Sequence, residues 1–158
     1  MPVGFRLCNK KYHPLDPEGA RRAGGRWNSK GVPAVYLADS ISLAVLEVTV
    51  HALELPDDYY LTEVIFDEAL VETLDITKLL WNWRDPVRAD ELRGIGDQWN
   101  SEKRSAILKI PSIVVPQEFN LVVNTEHADF PAVEHKNRGA FQFDHRLRPA
   151  RVDLTHEG

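Results

Sequence analysis

The sequence predicts an α+β fold: a single compact domain of short mixed strands with flanking helices. Three observations predict it. Short runs rich in Val, Ile and Leu recur along the chain, separated by turns built from Pro, Gly, Asn and Asp. One segment, residues 41–53, is apolar over helical length. Finally, 158 residues that are 43% hydrophobic and lack internal repeats or low-complexity tracts suit one domain with a real core, residues 1–158, ending in a short tail at 148–158.

Taken in order, Val3–Leu7 reads as a strand, and the Pro14, Pro17 and Gly19 region as irregular turn chemistry. Arg21, Arg22, Gly24 and Gly25 extend it into a basic, glycine-rich loop whose backbone can approach a ligand closely. A turn at residues 30–33 precedes the strand Ala34–Leu37. Asp39 and Ser40 are good N-cap types for the following helix, Ile41–Leu53, which is apolar on nearly every side and so predicts burial all round. Leu61–Phe66 and Val71–Leu74 read as strands. Residues 75–100 form a polar helical region carrying Trp81, Trp83 and Trp99, expected to fill the core, with breaks at Pro86 and at Gly94/Gly96. SIVVP at 112–116 and NLVVN at 120–124 are two β-like runs, residues 125–140 read as irregular, and Phe141–Leu147 as a last strand.

Composition limits the function. Lys plus Arg number 19 against 24 Asp plus Glu, so the net charge is −5, which argues against a domain that grips nucleic-acid backbone and against direct nucleic-acid binding. Cys8 is the only cysteine, so no intrachain disulfide is expected. Arg6, Lys10 and Lys11 interrupt any leader-like apolar run, and no segment reaches the about 18 apolar residues of a membrane span. A cytoplasmic protein with no membrane contact is the expectation.

One carboxylate stands out. Glu47 lies mid-helix with Leu43, Ala44, Val50 and His51 as its helical neighbours. A carboxylate in that company costs free energy unless it is hydrogen-bonded, paired or facing a wet cleft. Arg26 and Tyr36 precede it on the basic loop and the following strand, so a cation, an aromatic ring and a carboxylate come from three successive elements. Taken singly, Glu47 reads as a solvated carboxylate or a partner of His51, Arg26 as a surface arginine, Tyr36 as a core ring and Ser112 as turn material.

Together these residues carry a resemblance. GARRAGGRWNSKGVPAVYLADSISLAVLEVTVH, then IPSIVVPQEFNLVVNTEHADF and FQFDHRL in the same order, resemble the RES domain, the toxin component of RES–Xre type II toxin–antitoxin pairs, over about residues 4–147. The combination of GGRWN, a Tyr ten positions after the Arg, a Glu eleven further on and a downstream PS…VP…N is more specific than any one piece. Leu121 and Thr125 depart from the Tyr and Pro expected there.

The resemblance implies a fold similar to ADP-ribosyltransferases and a toxin that consumes NAD by cleaving the nicotinamide–ribose bond, by hydrolysis or phosphorolysis. The alternatives are ADP-ribosylation of a protein target and, from another class, a non-enzymatic or RNA-directed toxin. It also implies a cognate Xre-type helix-turn-helix antitoxin covering the active site, with a toxin homodimer within the complex. Glu47, Arg26 and Tyr36 are the implied catalytic residues. Arg26, Tyr36, Ser112, Asn28 and Lys30 are the implied substrate contacts. NAD is expected as substrate, with no other cofactor and no metal; His127, His135 and His145 lack zinc-site spacing, and neither a GxGxxG nor a Walker A motif is present.

Overall fold

A computed structural model describes residues 1–147. The strands are β1 (Val3–Asn9), β2 (Val35–Ala38), β3 (Tyr59–Ile65), β4 (Val71–Thr73), β5 (Ile107–Pro111), β6 (Phe119–Val123) and β7 (Glu134–Phe141). They form one seven-stranded sheet in the order β4-β5-β6-β2-β1-β3-β7. Every neighbouring pair is antiparallel except β4 and β5, which makes the sheet mixed. The helices are α1 (Glu18–Ala23), α2 (Ile41–His51) and α3 (Ala89–Ser101). The α+β expectation holds.

Residues paired across neighbouring strands share a sheet face, so the register sorts the side chains. Val35, Leu37, Ile107, Leu121 and Val123 pack on one face with Leu15, Val64 and Phe66. On the other face Leu108, Ile110 and Val122 receive α3 through Leu92 and Trp99, while Leu7 and Ala38 receive α2 through Leu43 and Ala44. Tyr36 pairs with Val122 and Ala38 with Asn120, so Tyr36 and Asn120 sit on this helix-bearing face. The two helices cover the two ends of that face, and the site lies between them.

Several elements differ from the sequence expectation. α2 is capped by the Ser40 hydroxyl, which accepts from the Leu43 amide at 3.1 Å, and it ends at His51, short of Leu53. Only Leu43 and Ala44 are buried; Val50 is 59% exposed and Leu53 94%. The helix lies on a sheet with no layer above it, so an all-round apolar sequence cannot be buried all round. Trp99 is buried as expected, but Trp81 is 93% exposed. The chain does break at Pro86, in a 3-10 turn at Pro86–Arg88, yet α3 runs straight through Gly94 and Gly96. The SIVVP run is a turn, because the Ser112 hydroxyl accepts from the amides of Val114 and Val115 and draws the chain away from the ladder. Part of the irregular basic lead-in is helix α1, part of 125–140 is strand β7, and residues 142–147 are not strand. β7 pairs with β3 at the sheet edge and is exposed along most of its length, so it carries little of the apolar alternation that signals a strand.

Gly96 explains how a glycine serves a helix interior. A Cβ there would stand 1.7 Å from the Trp27 carbonyl oxygen, so α3 lies on the loop backbone with no room for a side chain. Gly94 has nothing within 4 Å of the same position. Gly96→Ala is therefore expected to cost about 3 kcal/mol in urea denaturation, at the upper end of overpacking. Gly94→Ala is expected to add about 0.5–1 kcal/mol, the helix-propensity difference. Equal effects at the two positions would contradict the packing described.

Candidate active site

The cationic loop is built around one buried amide. Asn28 is 1% exposed, and its Nδ2 donates to the carbonyls of Ala20 at 2.9 Å and Val32 at 3.0 Å. Its Oδ1 accepts from the Tyr36 hydroxyl at 2.6 Å, and that hydroxyl in turn accepts from the Trp27 amide at 3.0 Å. Gly25 lies against this pair: a Cβ there would be 2.6 Å from Asn28 Oδ1 and 2.7 Å from the Tyr36 oxygen. Gly24 takes φ +70°, a left-handed conformation suited to glycine. Trp27 is buried among Leu92, Trp99 and Leu108. Arg26 is thus flanked on both sides by hydrogen-bonded backbone, Gly25 to the Asn28 carbonyl and Trp27 to the Tyr36 hydroxyl. Among the described residues its guanidinium has no ion pair and no hydrogen bond.

Burial pushes the Tyr36 phenol well above its ordinary pKa, against a smaller opposing effect of the Trp27 amide. The hydroxyl stays protonated through the neutral range and keeps donating to Asn28. Its hydrogen-bonding capacity is directed into the loop, which leaves the ring for a ligand.

Glu47 is placed by the sheet. Its Oε1 accepts from Ser112 Oγ at 2.8 Å and from Asn120 Nδ2 at 2.7 Å. Among the described residues no hydrogen bond reaches Oε2, and the expected alternative partner, His51, does not bond to Glu47. Both donors are neutral, so the position of the carboxylate is set without a counter-ion.

Arg26, Tyr36, Glu47 and Asn120 line one cavity of about 880 Å³ on the helix-bearing face. That size suits a ligand in the upper part of the small-molecule range. Arg6 and Arg93 line it as well. Arg6 Nη1 donates to the Tyr36 carbonyl at 3.0 Å where β1 and β2 part, and Arg93 pairs with Asp90. Arginine thus approaches the cavity from β1, from the loop and from α3, and the carboxylates of Glu47 and Glu54 line it too.

The structure brings together Arg26, Tyr36 and Glu47 as the sequence predicts. Three expected ligand contacts stand elsewhere. Ser112 is fully buried and meets Glu47, with its oxygen also taken up by the turn amides, so it supports the carboxylate from behind. Asn28 is beneath the loop, its amide fully occupied by protein. Lys30 is exposed beside a neighbouring hollow that it shares with Ser29 and Arg93. Asn120, Arg6 and Arg93 were not read from sequence. The available signal for Asn120 was an amide inside an apolar β run; nothing in the sequence distinguishes the two arginines from surface ones. No group of three or more His, Cys, Asp or Glu among the described residues is arranged to hold a metal ion. The tail at 148–158, with Arg148 and Arg151, lies outside the described residues.

Comparison with known proteins agrees with this architecture. The RES domain model matches residues 4–144. The Toxin Res protein of Photorhabdus laumondii is 38% identical over 152 residues, 93% of this chain and 97% of that protein. The Prs ADP-ribosylating toxin of a Sphingobium species is 33% identical over 138 residues, covering 84% and 86% of the two chains. The NAD(+) phosphorylase MbcT of Mycobacterium tuberculosis matches more locally, 47% identical over 45 residues, 28% of this chain and 24% of that protein. In the crystal structure of the M. tuberculosis MbcT–MbcA toxin–antitoxin complex, one chain superposes with a TM-score of 0.69 over 85% of this chain and 82% of its own length, at 21% identity, a likeness of fold. A domain match across nearly the whole chain, and relatives matched end to end, establish that this chain belongs to the RES domain family.

Proposed function

We propose that this protein is a toxin that consumes NAD by breaking the bond between nicotinamide and ribose, with water or phosphate as acceptor. The observation that carries the reading is Glu47: a carboxylate anchored through one oxygen, in a cavity lined also by Arg26, which has no ion pair among the described residues, and by Tyr36. The family relationship supports it, since relatives include an ADP-ribosylating toxin and an NAD(+) phosphorylase.

The chemistry suits these residues. As the glycosidic bond breaks, its electron pair leaves with neutral nicotinamide and positive charge develops on the ribose, as in glycoside hydrolysis. Glu47 stabilises that charge through its free oxygen, a preorganised electrostatic effect. Arg26 holds a phosphate or ribose oxygen with a planar, permanently charged fork. The Tyr36 ring stacks on the nicotinamide. The acceptor then adds to the same carbon and releases its proton, giving ADP-ribose from water or its 1-phosphate from phosphate. Nicotinamide is a good leaving group, so the step needs no metal and no further cofactor.

A second reading is supported by the Prs relative: transfer of ADP-ribose to a protein. The cavity opens to solvent, and the same Glu47 chemistry would serve any acceptor that reaches the sugar. The net charge of −5 argues against the RNA-directed alternative. A cytoplasmic setting and a neutralising partner complete the proposal: a helix-turn-helix antitoxin of Xre type seated over the cavity, in an assembly that holds two toxin chains. The fold's likeness to a chain of a toxin–antitoxin complex supports the partner. No described helix is long and apolar enough to cross a membrane.

Purified protein is expected to deplete NAD, and the dependence on phosphate identifies the acceptor. Glu47→Gln is expected to lower kcat by about 10²–10³-fold; depletion at the parent rate would remove Glu47 from the mechanism. If NAD is stable alone but a labelled protein band forms in lysate, protein is the acceptor. Arg26→Lys keeps charge but not the fork, and is expected to raise KM by about tenfold or more, the value of a charge-assisted contact of about 1.5–3 kcal/mol. Tyr36→Phe keeps the ring but frees Asn28 and the loop. It is expected to cost about 1–3 kcal/mol in urea denaturation through the unsatisfied buried acceptor, with KM rising more than kcat falls.

A further inference from the structure

We propose that Asn120 is a positioning residue: its amide, with the Ser112 hydroxyl, clamps Oε1 of Glu47 and so reserves Oε2 for the substrate ribose. This rests on the reading of Glu47 as the carboxylate beside the scissile bond. Three observations carry it. First, two donors from different segments, the turn after β5 and the strand β6, converge on one oxygen at 2.8 and 2.7 Å, while the second oxygen receives none among the described residues. A carboxylate held by one oxygen presents the other in a defined direction, and small displacements at a reacting centre are costly in rate.

Second, the Asn120 amide is only half satisfied. Its Oδ1 is buried with no hydrogen-bond partner among the described residues, a rare and unfavourable condition for a native side chain. Turning the amide over would bring Oδ1 against the carboxylate oxygen, setting acceptor against acceptor. The orphan oxygen is therefore a consequence of aiming Nδ2 at Glu47. Packing alone would favour an apolar residue, since Asn120 pairs in register with Ala38 on one side and Ile110 on the other.

Third, Asn120 lines the cavity itself, whereas Ser112 is fully buried. Of the two donors, Asn120 is the one that shares the cavity wall with Glu47.

Asn120→Leu removes the donor at similar volume, and Asn120→Asp keeps the shape while placing a second carboxylate against the first. In the full-length protein Asn120→Leu is expected to lower kcat up to about 100-fold with KM changed less than about twofold, and Asn120→Asp more. When Glu47 is already Gln, Asn120→Leu should lower the residual rate less than about twofold, because its effect passes through the carboxylate. An unchanged kcat, or an equal loss in both backgrounds, would overturn the assignment, the latter marking a merely structural role. The side-chain amide protons of Asn120, followed by ¹⁵N–¹H NMR, give a readout independent of turnover: one should be shifted downfield in the parent and lose that shift in Glu47→Ala. A shift that persists overturns the clamp. Absence of NAD loss with water, phosphate or lysate protein, alongside that downfield signal, would instead refute the functional reading and leave the clamp standing.

Discussion

The amide of Asn28 is the contact on which the site depends. It ties the end of α1, the turn before β2 and the ring of Tyr36 into one unit, through bonds to Ala20, Val32 and the Tyr36 hydroxyl. Without it the glycine pair and Arg26 would be a loop of many conformations, and an arginine on such a loop loses much of its attraction for a ligand to ordering entropy. The tether is buried, so its bonds lie in a low-dielectric setting where they are strong and where losing a partner is costly. Burial also keeps the phenol protonated, which keeps the donor in place.

The carboxylate half of the site follows a complementary logic. Glu47 belongs to a helix that touches the sheet through Leu43 and Ala44, and its side chain meets the sheet where β5 ends and β6 begins. A charged group at such a junction is stable only if donors meet it, and Ser112 and Asn120 do so without a counter-ion. Arg26 makes no ion pair or hydrogen bond among the described residues and lines the same cavity. Cation and anion are thus set into one cavity without neutralising each other, an arrangement that leaves both available for a dipolar, phosphate-bearing molecule.

α2 shows how the fold trades burial for access. Ile41, Leu46 and Val50 of this helix are exposed, and Leu53, just after the helix end, more so. The same helix lines the cavity through Ala44, Glu47, Val48 and His51.

The sequence by itself determined the fold class and the place of most of its elements, because apolar periodicity and turn residues are local signals: β1, β2, the Ser40 cap, α2, β3, β4 and β6 stand close to their expected positions. It also pointed to Arg26, Tyr36 and Glu47 as candidates, through the family resemblance that their spacing along a loop–strand–helix unit carries. The tertiary structure decided what depends on distant neighbours. Gly96 continues a helix instead of breaking it, because the Trp27 backbone lies against it. Ser112 and Asn28 turn inward, because buried polar atoms take the partners nearest in space. Asn120, 73 residues from Glu47 along the chain, meets it only because β6 pairs with β2 beneath α2. Periodicity tells which face of an element is apolar, but only the packed sheet decides which distant donor a carboxylate will find.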